Sequence, residues 1–197
     1  MLTTAVATRT RAPFWSVLEW NHCGKRIVLG CLVKAAGNMK ADILEFWQGY
    51  LAGLQPSHFD RQPEPDSVFS FGDSSEMADQ LAILVRQGVK TATCSALSSY
   101  EEDQIPQPQK GNLSVVLDGS GLPVCVIETL EVFVAPFSEV SERFAYEEGE
   151  GDRSLAYWRK AHQNFFSRHC SKDRVFDERM PVVCERFKLV YASRAEL

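Results

Sequence analysis

A lysine and two threonines lie close together in the segment Gly88-Val89-Lys90-Thr91-Ala92-Thr93. A lysine that is partly withdrawn from water can lose its proton near neutral pH and then act as a base toward a nearby hydroxyl. Thr93 supplies the obvious hydroxyl, with Thr91 as its substitute. In a turn the side chains of Lys90 and Thr93 could meet, whereas in a regular strand they would point to opposite faces. From spacing alone, an exposed lysine beside an ordinary strand threonine is the simpler interpretation.

A second candidate is the acidic stretch Glu147-Glu148-Gly149-Glu150-Gly151-Asp152. Its carboxylates could hold a divalent cation, or one of them could have a raised pKa and transfer a proton. The spacing does not match that of an EF-hand loop. A solvated linker between two helices, with Asp152 as the N-cap of the second, explains the stretch without any chemistry.

Two histidines, His162 and His169, share one face of a predicted helix with Trp158 and Phe165. Such a face could stack a nucleobase or bind a metal ion, and Trp47 on another helix could also stack a base. Histidines and aromatic residues at helical spacing more often pack in a core.

Helices are predicted wherever apolar residues recur at helical spacing. One begins at Met39. A second follows a capping-box-like pair, Asp73 and Glu76, and ends at Gly88. Two more are expected over residues 138–146 and 153–169.

Strands are predicted over residues 89–97, 112–117, 124–134 and 182–192, because β-branched residues alternate there with other types. The turn Asp118-Gly119-Ser120-Gly121 joins the second and third strands as a hairpin, and Pro136 breaks the third. The alternation in that third strand makes Glu128 either an inward carboxylate or a residue on the solvent side of a barrel wall.

Charge is unevenly distributed along the 197 residues. Residues 1–38 carry five basic residues and one acid, so they are net +4, and the whole-chain charge of −5 leaves residues 39–197 at −9. This negative net charge argues against a surface that binds nucleic acid through contacts with many phosphates. Since residues 1–38 also lack a sustained apolar period, we expect an extension outside the fold, with Met39 well placed to be a start codon.

The cellular setting is predicted from two further properties of the sequence. The six cysteines contain no C-x-x-C pair, so neither a zinc knuckle nor a dense disulfide framework is indicated. No apolar run approaches the roughly 18 residues that span a bilayer. We therefore expect a cytoplasmic protein with no membrane association and no obligate protein partner.

Six short motifs occur in order along the chain. They are F-G-D-S at 71–74, A-D-Q-L-A at 78–82, L-V-R-Q-G-V-K-T-A-T at 84–93, E-G-E-G-D at 148–152, W-R-K-A-H at 158–162 and V-V-C-E-R-F at 182–187. Together they resemble a bacterial ASCH domain over about residues 39–191. The resemblance implies an α+β fold, a PUA-like β-barrel flanked by helices, in a superfamily linked to RNA, with the ASCH domain filling residues 39–197.

The resemblance also implies a chemistry. Some ASCH proteins hydrolyse the amide of N4-acetylcytidine with lysine, threonine and glutamate, and others have been assigned ribonuclease activity. Carried over by motif, Lys90 is the base, Thr93 the nucleophile and Glu148 the acid, although Glu150 could replace Glu148. Further substrate contacts are expected from Thr91, Glu150, Trp158 and His162. No metal and no cofactor is required.

Three functions therefore remain open: an amidohydrolase acting on a nucleoside, a non-catalytic module that binds single-stranded RNA, and a ribonuclease. The net charge of the domain counts against the second, and the third needs a base and a cation beside a phosphate.

Overall fold

The computed structural model describes residues 41–54, 63–169 and 175–192. The helices are α1 (Ala41–Ala52), α2 (Ser75–Arg86), α3 (Leu97–Glu102), α4 (Glu142–Glu148) and α5 (Leu155–His169). The strands are β1 (Ser67–Ser70), β2 (Ala92–Ala96), β3 (Leu113–Leu117), β4 (Pro123–Pro136) and β5 (Pro181–Ala192). A short 3₁₀ helix, Phe137–Glu139, precedes α4. Residues 1–38 lie outside the described residues, so their place relative to the fold stays a prediction.

The five strands form one mixed sheet in the order β1-β3-β4-β5-β2. Only β1 and β3 run parallel, and the other neighbours are antiparallel. β4 pairs with both β3 and β5, and its register with β5 shifts at Val126/Ile127 and at Thr129/Glu131. Such bulges bend a strand and curl the sheet. The result is a half-barrel, which confirms the predicted α+β, barrel-like fold.

Three apolar clusters fill the spaces between the sheet and the helices. One joins β2 and β5 to α4 and α5, the second lies under α2, and the third lies under α1. The stripe predicted on α1 is confirmed, since Ile43, Trp47 and Tyr50 are buried in the third cluster. Trp47 is therefore a core residue in this fold, with no exposed ring face for a base.

The β3–β4 hairpin is confirmed and has a local cause. Asp118 Oδ1 accepts hydrogen bonds from the backbone N–H groups of Ser120 and Leu122, at 2.8 and 2.9 Å. An aspartate that bonds its own turn in this way stabilises the reversal of the chain. The predicted strand 124–134 is also confirmed, extended at both ends.

Several local predictions were wrong. Ser74, and not Asp73, caps α2 by accepting from the Met77 N–H. The N-cap hydrogen bond of α5 comes from Ser154, which accepts from Tyr157, while Asp152 accepts from the Ser154 N–H. The expected strand 89–97 is shorter, because β2 begins only at Ala92, after the turn that follows α2, and α3 begins at Leu97.

Of the two alternatives predicted for Glu128, the structure has the residue on the solvent side. Glu128 is not an inward carboxylate, since it is partly exposed and pairs with Lys188 at 3.1 Å. The buried carboxylate of this sheet is Glu185 on β5, which is 9% exposed. The bulges in β4 shift the face of each residue that follows them, so simple alternation failed there.

Cys94, Cys125 and Cys184 are buried free thiols, and Cys23, Cys31 and Cys170 lie outside the described residues. Among the helices that the structure describes, none is both long and apolar enough to cross a membrane.

Candidate active site

Lys90 is carried into the interior by the end of α2. Gly88 adopts a left-handed conformation with φ of 69°, which ends the helix. The N–H groups of Val89 and Lys90 then both donate to the Leu84 carbonyl, at 2.9 and 3.0 Å. This turn places Lys90 before β2, where its side chain is 1% exposed. The simpler interpretation of the sequence, an exposed lysine, was thus wrong.

The Lys90 ammonium is held by two carboxylates. Nζ donates to Glu148 Oε2 at 3.0 Å, to Glu150 Oε1 at 2.8 Å and to the Glu148 carbonyl at 3.4 Å. Burial by itself lowers the pKa of Lys90, but the charges of Glu150 and Glu148 and their hydrogen bonds outweigh it, so the pKa is raised. The hypothesis that Lys90 loses its proton near neutral pH does not fit these contacts.

Glu148 lies at the C-terminal end of α4 and is also 1% exposed. Its Oε1 accepts a hydrogen bond from the Trp158 indole N–H at 2.8 Å and lies 3.5 Å from His162 Nε2. Both carboxylate oxygens are therefore engaged, one by Lys90 and one by Trp158 and His162. Glu148 is an internal partner that fixes the position of Lys90.

Glu150 is the carboxylate of this cluster that reaches solvent. Its side chain is 22% exposed, against 1% for Glu148. Burial is the largest single influence and raises the pKa of Glu150, but the charge of Lys90, the charge of His162 and the Lys90 hydrogen bond together outweigh it, so the pKa is lowered. Of the two glutamates between which the sequence could not choose, Glu150 is thus the one that a molecule arriving from solvent meets first.

A glycine and a threonine hold the acidic segment against the Lys90 backbone. Gly149 has φ of 76°, and a Cβ there would lie 2.6 Å from the Val89 carbonyl oxygen. The Thr91 N–H and Oγ1 both donate to the Glu147 carbonyl, at 2.8 and 3.2 Å. The Thr91 hydroxyl is therefore occupied by its hydrogen bond to the Glu147 carbonyl. At position 149, only a glycine fits without displacing the backbone.

Thr93 differs from Thr91 because its hydroxyl is unbonded. The residue is 6% exposed on β2, and Oγ1 has no hydrogen-bond partner among the described residues. Its register partner across the sheet is Glu185 on β5. Cys94, the next residue, faces the opposite side, where it approaches Glu148.

Glu185 and Thr129 are polar residues of this region that the sequence analysis did not single out. Thr129 Oγ1 donates to Glu185 Oε1 at 2.6 Å, and burial raises the pKa of Glu185. The available signal was a glutamate that shares its strand face with Val183 and Phe187 in the predicted strand 182–192, which is unusual for a buried strand.

The aromatic face of α5 is confirmed, but it packs inward. Trp158 is 2% exposed and stacks with His162 and Phe137, with ring centroids 4.4 and 5.0 Å apart. Trp158 thus has no exposed ring face for a nucleobase. His169 lies at the other end of the helix, 2.9 Å from Asp73 Oδ2, and is separate from the Lys90 cluster.

Three buried groups of this region could in principle bind a metal ion. One ligand atom from each of Cys94, Glu148 and His162 lies within 4.8 Å of the others. However, burial and the Glu148 charge raise the pKa of the Cys94 thiol, and the Lys90 ammonium already neutralises Glu148. This donor set fits a metal ion poorly, and we derive no step from one.

Comparisons with known proteins agree with this fold. The sequence profile of the ASCH domain matches residues 67–191. The crystal structure of an ASCH domain from Lactobacillus crispatus is 36% identical, with a TM-score of 0.73 over 79% of this chain and 98% of that one. A crystal structure of a protein from Enterococcus faecalis is also 36% identical, with a TM-score of 0.68 over 77% of this chain and 89% of that one. Among curated proteins no match was found.

The α+β half-barrel and its similarity to ASCH domains place the chain in the PUA-like class. The chain belongs to the ASCH domain family, whose PUA-like fold is generally associated with RNA binding.

Proposed function

We propose that this protein is an amidohydrolase that removes the acyl group from an N4-acylated cytosine nucleoside of the N4-acetylcytidine type. One observation carries the proposal: a buried, charged Lys90 is held by Glu148 and Glu150, three residues before an unbonded Thr93 hydroxyl. A buried hydroxyl without a hydrogen-bond partner lowers the stability of the fold. Such a group is therefore expected where it has another use, and for Thr93 we propose that this use is binding to the substrate.

The contacts suggest a role for Lys90 other than that of a base. A lysine whose proton is held by two carboxylates is a donor, and it can stabilise the oxyanion that forms when an acyl carbonyl is attacked. Glu150 is the exposed partner of Lys90, so a carbonyl oxygen entering from solvent would replace Glu150 as an acceptor for Nζ. Glu148, bonded on both oxygens, would keep the ammonium in place.

Thr93 is the nucleophile in this proposal. Its Oγ1 would bond to the acyl carbon, the carbon–nitrogen bond to the cytosine would break, and water would then hydrolyse the threonyl ester. Thr91 is a poor substitute because its hydroxyl donates to the Glu147 carbonyl. Since Trp158 and His162 are buried, they would act through Glu148 and not by stacking on the base.

The test is to incubate the full chain with N4-acetylcytidine and follow cytidine release by chromatography. Thr93→Val should abolish release, whereas the matched variant Thr91→Val should retain it if the protein folds. An exposed lysine control is Lys188→Met, which should leave turnover unchanged. No release by the folded wild-type protein would remove the amidohydrolase proposal.

RNA binding without catalysis is the second candidate, and the family's PUA-like fold is the observation in its favour. In that case an unpaired base would be held by edge hydrogen bonds. Titration with short single-stranded RNA at two salt concentrations tests this, since binding that involves phosphates weakens with salt. Absence of salt-sensitive binding would exclude the module.

A ribonuclease is the weakest candidate. It would need a base and a cation exposed to a phosphate. Lys90 is buried against two carboxylates and His162 is buried against Trp158, so neither is presented to a phosphodiester.

A further inference from the structure

A second polar cluster lies on the face of the sheet opposite Cys94. It contains Thr93 on β2, Glu185 on β5 and Thr129 on β4, and all three residues are buried. None of the roles proposed above uses Glu185. A carboxylate in an apolar sheet requires an explanation, because burying one lowers stability unless it is paired.

We propose that Glu185 is the catalytic base that takes the proton from Thr93, and that Thr129 is a positioning residue that orients Glu185. This inference rests on the proposed amidohydrolase function, and it supplies the base that Lys90, with its proton held, does not provide.

The sheet register brings the two groups together. Thr93 and Glu185 are directly paired on antiparallel strands, so their side chains share one face. Paired residues in such strands have Cβ atoms about 4.5–5.5 Å apart, which lets a glutamate carboxylate reach a threonine hydroxyl. The Thr93 hydroxyl has no hydrogen-bond partner among the described residues, so it is not committed to another group.

Thr129 fixes one end of the carboxylate. Its Oγ1 donates to Glu185 Oε1 at 2.6 Å, which leaves the second oxygen outside that bond. A base that is held by a third group in this way has the arrangement of nucleophile, base and orienting residue that activates hydroxyl nucleophiles elsewhere.

The environment also suits a base. Burial raises the pKa of Glu185, and the Thr129 hydrogen bond offsets part of that rise. A carboxylate with a raised pKa takes a proton more readily at neutral pH. Tyr100 is a titratable group near this cluster, and burial together with the charge of Glu185 raises its pKa to about 12 against the opposing effect of a hydrogen bond with Ser95, so it remains a neutral phenol.

The proposed steps balance as follows. Glu185 accepts the Thr93 proton while Oγ1 bonds to the acyl carbon, and the carbonyl oxygen becomes an oxyanion. The carbon–nitrogen bond breaks and Glu185 passes the proton to the departing N4 amine, which releases cytidine. Water then attacks the threonyl ester, Glu185 takes its proton and returns it to Oγ1, and acetic acid leaves.

The test compares kcat/KM for N4-acetylcytidine across pH in four full-length proteins: wild type, Glu185→Gln, Thr129→Val and the control Glu128→Gln. Glu128 directly precedes Thr129 on β4, but its carboxylate pairs with Lys188 at 3.1 Å. Glu185→Gln should lower kcat/KM by about 10²–10⁴-fold, the usual contribution of a general base.

Thr129→Val should move the acidic limb of the pH profile to higher pH, because the Thr129 hydrogen bond lowers the pKa of Glu185. Glu128→Gln should match wild type.

The outcomes separate the two proposals. A folded wild-type protein that releases no cytidine overturns the proposed function and this inference with it. An active wild type whose Glu185→Gln variant keeps its rate and its pH profile overturns the inference alone. Should Glu185→Gln fail to fold, Thr129→Val decides: an acidic limb that does not move means that Glu185 is not the base.

Discussion

The Lys90 Nζ atom lies 3.0 Å from Glu148 Oε2, and both side chains are 1% exposed. Removing one member of such a pair leaves the other charge buried and uncompensated, which lowers stability far more than the loss of a surface ion pair. This contact joins the loop after α2 to the end of α4, so it has both a structural and a proposed chemical role.

We expect Lys90→Met to lower the free energy of unfolding by about 3–5 kcal/mol, because Glu148 would remain buried without its cation. The matched variant Lys188→Met removes a lysine whose side chain is 51% exposed, and it should change stability by less than about 1 kcal/mol. Urea denaturation followed by circular dichroism measures both. Equal decreases in the free energy of unfolding of the two variants would show that the buried ion pair contributes no more to stability than the exposed one.

Thr93→Val should leave stability unchanged or raise it by about 1 kcal/mol, since it removes a buried hydroxyl that has no hydrogen-bond partner among the described residues. Thr91→Val should lower stability by about 1 kcal/mol, because the Thr91 hydroxyl bonds the Glu147 carbonyl. Unfolding midpoints of the two variants give the comparison. A clear loss of stability in Thr93→Val would mean that its hydroxyl is bonded in solution.

Gly149→Ala should destabilise the protein more than Gly88→Ala. Both glycines have positive φ, 76° and 69°, so both substitutions strain the backbone by about 1–2 kcal/mol. Only at Gly149 would the added Cβ also meet the Val89 carbonyl oxygen, at 2.6 Å, whereas nothing lies within 4 Å at Gly88. Thermal unfolding of the pair isolates the contact, and similar shifts in Tm would argue against a close approach.

Acid should weaken the fold partly through Glu150. Its folded-state pKa lies below the ordinary value of 4.5, because the effect of burial, which raises the pKa, is outweighed by the charge and hydrogen bond of Lys90 together with the charge of His162. The stability that this group contributes is therefore present above its unfolded pKa and is lost as the pH falls through the folded one. Between about pH 6 and pH 3, Glu150→Gln should lose stability less steeply than wild type in urea titrations. Parallel curves would show that Glu150 is not paired with Lys90.

Local features of the sequence predicted a large part of the fold. The β3–β4 hairpin, the apolar stripe of α1 and the end of α2 at Gly88 depend on residues that are near one another in the chain, so their patterns are readable without the structure. The N-cap of α2 was predicted wrongly. Several polar residues precede this helix, and only the backbone geometry of the folded chain selects Ser74 among them.

The sequence by itself determined the family, the barrel-like fold and the proposed importance of the Lys90 segment, because motif order and periodicity are properties of the chain. Tertiary structure decided the charge state of Lys90, since Glu148 lies 58 residues away and only folding places its carboxylate beside the ammonium. It also decided that Glu185 faces Thr93. That relationship depends on the pairing of β2 with β5, and no local pattern in either strand specifies its partner or its register.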